Sequence, residues 1–343
     1  MRIAIMGAGS LGTILGAYLT KAGYDVMMVD AYKEHVDALN ETGAHIVGTV
    51  DFVQPVKACL PEEMEGVYDL VIYMAKQTFN ETAIPQIAAH IDENSTVCTC
   101  QNGIPEYAVA EVIGKERVIG APVGWGATFK GPGCSALTTE EHANVFTVGS
   151  LEGPINDRVL MVQDILSKFC TAEVTENLLG VRWTKLIMNA TYSALGTCFG
   201  YTFGEVSEDE KAVKLALRIG KEIIDVCAEL AITLDEYEGF DFYKAHKRGN
   251  AATNSESMAY IREIWKGHEP GEASMLQDLK RGKQCEVQQI CGLVHEEGTK
   301  VGIPTPVTDK CIEVITAIQD GKLKYEPANM AYFEGFLTNV PSL

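Results

Sequence analysis

The chain has 343 residues, 46% of them hydrophobic and 22% charged, which suits two globular domains and excludes a disordered or fibrous composition. Its formal net charge of −19 argues against nucleic acid or an anionic membrane as a partner, and an anionic substrate would need locally placed cations. No segment has the length and purity of a membrane helix, and the first residues already read as a strand, so no membrane span or signal peptide is expected and the reading is cytoplasmic.

The apolar run Ile3 to Met6 predicts a short buried strand. Gly7, Gly9 and Gly12 follow at the spacing G-x-G-x-x-G, and a helical pattern starts at once with Leu11, Ile14, Leu15, Tyr18 and Leu19. A second apolar run, Val26 to Val29, ends in Asp30. This strand–turn–helix–strand unit is a dinucleotide-binding fingerprint. Gly7 allows the tight turn, Gly9 lets the backbone approach a pyrophosphate, and Gly12 lets the helix pack close to the strand. The helix N-terminus, at Ser10 and Leu11, offers N–H groups and a partial positive charge to phosphates. Asp30 can accept hydrogen bonds from both adenosine ribose hydroxyls and would repel a 2′-phosphate. Ala31 and Tyr32 supply no arginine, and Lys33 is the only nearby cation in sequence, so NAD(H) is favoured over NADP(H). A purely structural role for Asp30 would be to cap the next helix.

Strands and helices go on alternating to about residue 175. The expected strands are Val67 to Ala75, Thr96 to Cys100 and Val118 to Gly120, then short β-like pieces at Gly124 to Phe129, Ala143 to Val148 and Thr171 to Val174. Helices are expected through Ile84 and Ile87 and at about 156–169. Beyond 176 the pattern turns helical: 180–202, 208–231, 254–265, 272–281, 284–300 and 306–320. The fold class is therefore α/β, an N-terminal Rossmann-type doubly wound sheet with an extra antiparallel portion over 1–175, followed by an all-helical C-terminal domain over 176–343. The stretch 235–255 is polar and irregular and reads as a loop or a loosely held helix. The tail after Tyr325 carries weak signals. Ten cysteines at irregular spacings read as small, reduced, buried residues, with Cys98 and Cys100 pointing the same way on one strand; no metal site is expected.

Ligands of a doubly wound sheet gather at the carboxyl ends of its strands. Lys76 stands at one such end, and Gln101, Asn102 and Gly103 at the next. A solvated lysine and plain turn chemistry are the alternatives. Within WTKLIMNATYSALGTCF, Trp183, Leu186, Ile187, Met188, Tyr192, Leu195 and Phe199 cover most of the helix circumference, so it should be buried on most sides. Lys185, Asn189 and Ser193 form one polar stripe at i, i+4 and i+8. A lysine there needs a water-filled cleft or partner groups, unless it snorkels to the surface. Downstream, Ser274, Gln277, Asp278 and Glu286 are polar candidates with no local feature that singles them out.

The combination of GAGSLG at 7–12, AKQ at 75–77, QNGI at 101–104, W-x-K-L-x-x-N at 183–189 and SMLQDLKRGKQCEV at 274–287 resembles the ketopantoate reductase family. The resemblance implies two domains with the active site in the cleft between them, and reduction of a 2-keto acid by a nicotinamide cofactor. By that resemblance Lys185 is the general acid. Asn102 holds the nicotinamide ribose and supports the Lys185 ammonium. Lys76 contacts the cofactor or the substrate. Glu286 binds ribose hydroxyls or orients Lys185. Asn189, Ser193 and Ser274 fall to the substrate. The implied partner is a small 2-keto acid, most simply 2-dehydropantoate, and a homodimer is compatible with the family. The chain departs from the family pattern at Ser193 and Gly271, where an asparagine is common, in a longer 235–270 segment, and at Asp30, where NADPH is the habit. Rival readings are a relative acting on another branched 2-keto acid and a non-catalytic NAD-binding redox sensor. An opine-type dehydrogenase would call for a catalytic histidine.

Overall fold

The computed structural model describes residues 1–237, 239–246 and 255–338. It divides into two compact units, Met1–Leu178 and Leu179–Leu343. The first contains strands β1 Arg2–Met6, β2 Asp25–Val29, β3 Ala44–Gly48, β4 Phe52–Gln54, β5 Lys57–Cys59, β6 Leu70–Tyr73, β7 Thr96–Thr99, β8 Val118–Gly120, β9 Ala127–Gly131, β10 Cys134–Leu137, β11 Val145–Ser150 and β12 Thr171–Val174.

The main sheet runs β5-β2-β1-β6-β7-β8-β11-β12. It is parallel from β5 to β8, and β11 then joins antiparallel to β8. β1 lies at the switch point, in register Ile3↔Val26 with β2 and Ile3↔Leu70 with β6. The residues of β6 and β7 are all buried, as a parallel sheet covered on both faces requires. Alternate residues feed separate cores. Ile3, Ile5, Leu70 and Ile72 enter one; Ala4, Met6, Val71 and Tyr73 enter the other.

A second sheet, β4-β3-β10-β9, is absent from the sequence reading, which assigns nothing to residues 44–59. β3 pairs antiparallel with β4 and parallel with β10. The helix Ser10–Lys21 is clasped between the two sheets, which explains why Thr13, Ile14, Leu15, Gly16, Ala17 and Leu19 are all buried. The long apolar run at 67–75 yields only the four-residue β6. Val67 stays exposed, and the N–H groups of Met74 and Ala75 both leave the ladder to reach Met6 O. The β-like piece expected at 124–129 is shifted, to β9 at Ala127–Gly131.

The second unit is helical, with no named strand among its described residues. The helix predicted over 180–202 is Leu178–Met188, a π turn Asn189–Ser193, and Ala194–Phe199. Glu210–Glu229 is amphipathic and capped by Asp209, whose carboxylate accepts from Lys211 N at 2.8 Å and Ala212 N at 3.2 Å. A second π turn, Gln288–Gly292, precedes Leu293–Val301. Of the polar stretch 235–255, residues 238 and 247–254 lie outside the described residues; the remainder contains a Tyr237↔Phe240 bridge and the helix Phe242–His246. Among the described residues, no helix is long and apolar enough to cross a membrane.

One half-buried carboxyl ties the helical unit together. Glu222 accepts from Val307 N at 2.9 Å, and from Thr308 N at 3.0 Å and Thr308 Oγ1 at 2.7 Å, at the start of Pro306–Gln319. Burial pushes this carboxyl up to about 7, against the pull of those hydrogen bonds, and nearby Asp309 adds to the rise. The folded chain thus keeps a proton that the unfolded chain releases near pH ~4.3. The stabilisation is complete below that pH and fades as pH rises through about 7. Urea midpoints at pH 5 and pH 8 should show it. The parent is expected to lose roughly 3 kcal/mol more across that interval than Glu222→Gln, which cannot ionise.

Candidate functional site

The glycine loop leaves β1 at the switch point. Gly7 has φ +99°, and a Cβ on it would lie 2.2 Å from Ala75 N, so the loop after β6 closes over it. A Cβ on Gly12 would lie 2.2 Å from Gly7 O, which forces the helix against the turn. A Cβ on Gly9 would meet nothing within 4 Å. Gly7 and Gly12 are demanded by the protein's own packing; Gly9 leaves open space. The helix Ser10–Lys21 starts with no side-chain cap and no acidic residue in its first turn. Its leading N–H groups, at Ser10 and Leu11, therefore face that space with the positive end of the helix dipole. The loop fits a pyrophosphate.

Asp30 follows β2 and accepts from Tyr32 N at 2.9 Å through Oδ1. It thus makes an Asx turn into the helix Lys33–Thr42, and among the described residues its second oxygen has no such backbone contact. Lys33 Nζ lies 2.7 Å from both carboxylate oxygens of Asp37.

Lys76 and Asn102 follow β6 and β7, both half-buried. Their loops are cross-tied. Gln77 Nε2 donates to Asn102 O at 2.5 Å, and Gln101 Nε2 donates to Ala75 O at 2.5 Å. Tyr73 OH donates to Asn80 Oδ1 at 2.8 Å behind them. Gly103, at φ +72°, makes the turn that follows. Gln77 and Asn80 were not among the sequence candidates, although Gln77 stands inside the motif AKQ; Gln101 was placed at its strand end with no role assigned. The structure brings Gly7, Gly9, Gly12, Asp30, Lys76 and Asn102 to one rim of the first unit.

In the second unit Trp183, Leu186, Ile187, Met188, Tyr192, Leu195 and Phe199 are buried, as the apolar pattern predicts. Lys185 and Asn189 are half-buried and Ser193 is buried. Asn189 and Ser193 open and close the π turn. Such a turn widens the helix and releases carbonyls from the regular ladder. Side chains take up two of its neighbours: Thr191 Oγ1 donates to Ile187 O and Thr197 Oγ1 to Ser193 O, both at 2.6 Å. Among the described residues the buried Nδ2 of Asn189 has no hydrogen-bond partner, a donor that awaits an acceptor. Glu286, buried, lies two residues before the second π turn, and the two π turns pack against each other. The helix Ser274–Lys280, whose first residue Ser274 is exposed, packs on the first π turn. The segments that carry Asn189, Ser193, Ser274 and Glu286 are thus gathered within the second unit.

All ten cysteines are free, and burial pushes the thiols of Cys59 to about 11 and of Cys170 and Cys227 to about 12. Such thiols are protonated and unreactive at neutral pH. Among the described residues no group of three or more His, Cys, Asp or Glu side chains could hold a metal ion.

Two family models match, ketopantoate reductase PanE/ApbA over residues 3–151 and its C-terminal counterpart over 177–319. A 2-dehydropantoate 2-reductase from Pyrococcus abyssi is 29% identical over 311 residues, covering 90% of this chain and 94% of the relative. One from Mesorhizobium japonicum is 26% identical over 340 residues, covering 92% and 97%. Among solved structures, D-mandelate dehydrogenase in complex with NADH superposes with a TM-score of 0.80 at 25% identity, covering 94% of this chain and 100% of that one. The PanE/ApbA family ketopantoate reductase from Ralstonia eutropha superposes with a TM-score of 0.79 at 24% identity, covering 94% and 99%.

Proposed function

We propose that this chain, which belongs to the ketopantoate reductase PanE/ApbA family, reduces 2-dehydropantoate to pantoate, the step that feeds pantothenate and coenzyme A synthesis, with NADH as its preferred cofactor. That it is an oxidoreductase acting on a CH–OH group follows from the family. The observation that carries the reading is Lys185, a half-buried cation on the mostly buried helix Leu178–Met188, one turn before Asn189, whose Nδ2 has no hydrogen-bond partner among the described residues.

When bound, a nicotinamide cofactor supplies hydride to the keto carbon. The chain's own residues do the rest. The open space at Gly9 and the uncapped helix behind it hold the pyrophosphate. Asn102, its backbone fixed by Gln77, holds the nicotinamide ribose. Lys76 contributes a cation on the same rim, which a protein of net charge −19 must place deliberately to hold an anion. Lys185 polarises the carbonyl, stabilises the developing alkoxide and gives up a proton from Nζ. Asn189 Nδ2 donates to the substrate, Ser193 and Ser274 add hydroxyls, and Glu286 binds ribose hydroxyls or orients the Lys185 ammonium.

Asp30 supports NADH. Its free oxygen suits a ribose hydroxyl, a 2′-phosphate would meet a like charge, and Lys33, the nearby cation, is spent on Asp37. A second substrate reading, another branched or hydroxylated 2-keto acid, is favoured by Ser193 and Gly271 standing where the family often has asparagine. One experiment covers both points: loss of reduced-cofactor absorbance across a panel of 2-keto acids, run with NADH and NADPH. The expected result is the highest kcat/KM for 2-dehydropantoate and a preference for NADH of about ten-fold or more, worth ~1.4 kcal/mol. A preference for NADPH would overturn the role given to Asp30. A better 2-keto acid would establish the second reading, and inertness toward every substrate despite cofactor binding would establish a sensor.

A further inference from the structure

The carbonyl of Ala8, between the first two glycines of the loop, is gripped by two buried side chains. Thr13 Oγ1 donates to it at 2.7 Å, and His35 Nε2 lies 2.8 Å away. The other ring nitrogen, His35 Nδ1, lies 2.9 Å from Gly133 N. A backbone N–H can only donate, so Nδ1 is the bare nitrogen and Nε2 carries the ring hydrogen. His35 and Thr13 are fully buried, and Phe129 packs edge-on to the imidazole with centroids 5.1 Å apart. His35 is thereby set as one neutral tautomer. It is fastened at one end to the turn between β9 and β10 and at the other to the glycine loop.

Carbonyl and N–H of a trans peptide point in opposite directions. Holding the Ala8 oxygen toward His35 turns the Gly9 N–H away from it, on the side of the loop that packing does not fill. We infer that His35 is a positioning residue for the dinucleotide: through the Ala8 carbonyl it orients the Gly9 N–H toward the pyrophosphate, and it makes that orientation depend on the small sheet. The inference rests on the dinucleotide reading of the loop and goes beyond it, because His35, fully buried, acts only through the Ala8 carbonyl.

The test is NADH affinity by calorimetry on the full chain, with thermal melting alongside. His35→Phe keeps the ring volume and makes neither hydrogen bond. It is expected to raise the Kd for NADH on the order of ten-fold, the scale of one lost buried hydrogen bond, with kcat at saturating NADH held within about two-fold. His35→Gln can still donate to Ala8 O and should recover most of the affinity. Thr13→Val removes the second donor at constant shape and should weaken NADH by roughly a few-fold, a readout that stands even where His35→Phe does not fold. Amide exchange over residues 7–13 of the cofactor-free protein should quicken in both loss variants. Unchanged Kd in His35→Phe and Thr13→Val overturns the inference. So does a His35→Gln as weak as His35→Phe, which would make His35 a packing residue. A parent that binds neither NADH nor NADPH overturns the dinucleotide reading and this inference together, whereas a parent that binds while its variants match it overturns this inference alone.

Discussion

Lys185→Ala is expected to lower kcat by about 10²–10⁴-fold, the range for loss of a positioned acid. The Kd for NADH should change far less, because this lysine serves the reacting carbonyl. Alanine is the best helix former, and Lys185 is only half-buried, so the helix Leu178–Met188 should survive the change. Steady-state kinetics and a melting curve on the same preparation separate the two effects. A variant that loses substrate affinity with turnover intact would make Lys185 a carboxylate anchor instead. The pH profile is an independent check. Only the ammonium can donate, so the parent's rate should fall on the alkaline side. An alanine variant that keeps the same alkaline limb would assign the acid to another group.

Gly9→Val is expected to abolish NADH binding in a calorimetric titration and to leave the melting temperature nearly unchanged. The reason is the contrast among the three glycines. At Gly9 a side chain enters empty space, with nothing within 4 Å of its first carbon. At Gly7 and Gly12 the first carbon of a side chain would overlap backbone at 2.2 Å, so alanine there should cost stability as well as binding. A Gly9→Val protein that melts normally and still binds NADH would mean that the loop is a turn and nothing more.

How much of this was legible beforehand follows from range along the chain. The glycine loop, Asp30 and the first strands are a local signal, complete within 30 residues, and the structure places them as read. The helical unit was legible because a 3.6-residue period is also local. The π turns were not. Lys185, Asn189 and Ser193 fit an α-helical stripe, and nothing in the letters NATYS announces an extra residue in the turn. The small sheet was invisible for a different reason: β3 and β4 are five and three residues long, and β10, which pairs with β3, lies far down the chain. The same distance hid His35, whose hydrogen-bond partners include Ala8 and Gly133, on either side of it in sequence. Gln77 and Gln101 were in view inside their motifs. Their work, tying one loop's backbone to the other's, shows only when both loops are folded.

The parallel pairing of β3 with β10 sets an order in time. A growing chain completes β1, the glycine loop and the helix Ser10–Lys21 first, yet one edge of β3 stays open until Leu137 has been made. Until then His35 has no Gly133 to hold. The most recognisable part of the sequence is thus among the earliest to be synthesised and among the later to become rigid, because its last fastening arrives with a distant hairpin. Contacts of that separation are slow to close, and an open strand edge is a place where nascent chains find one another.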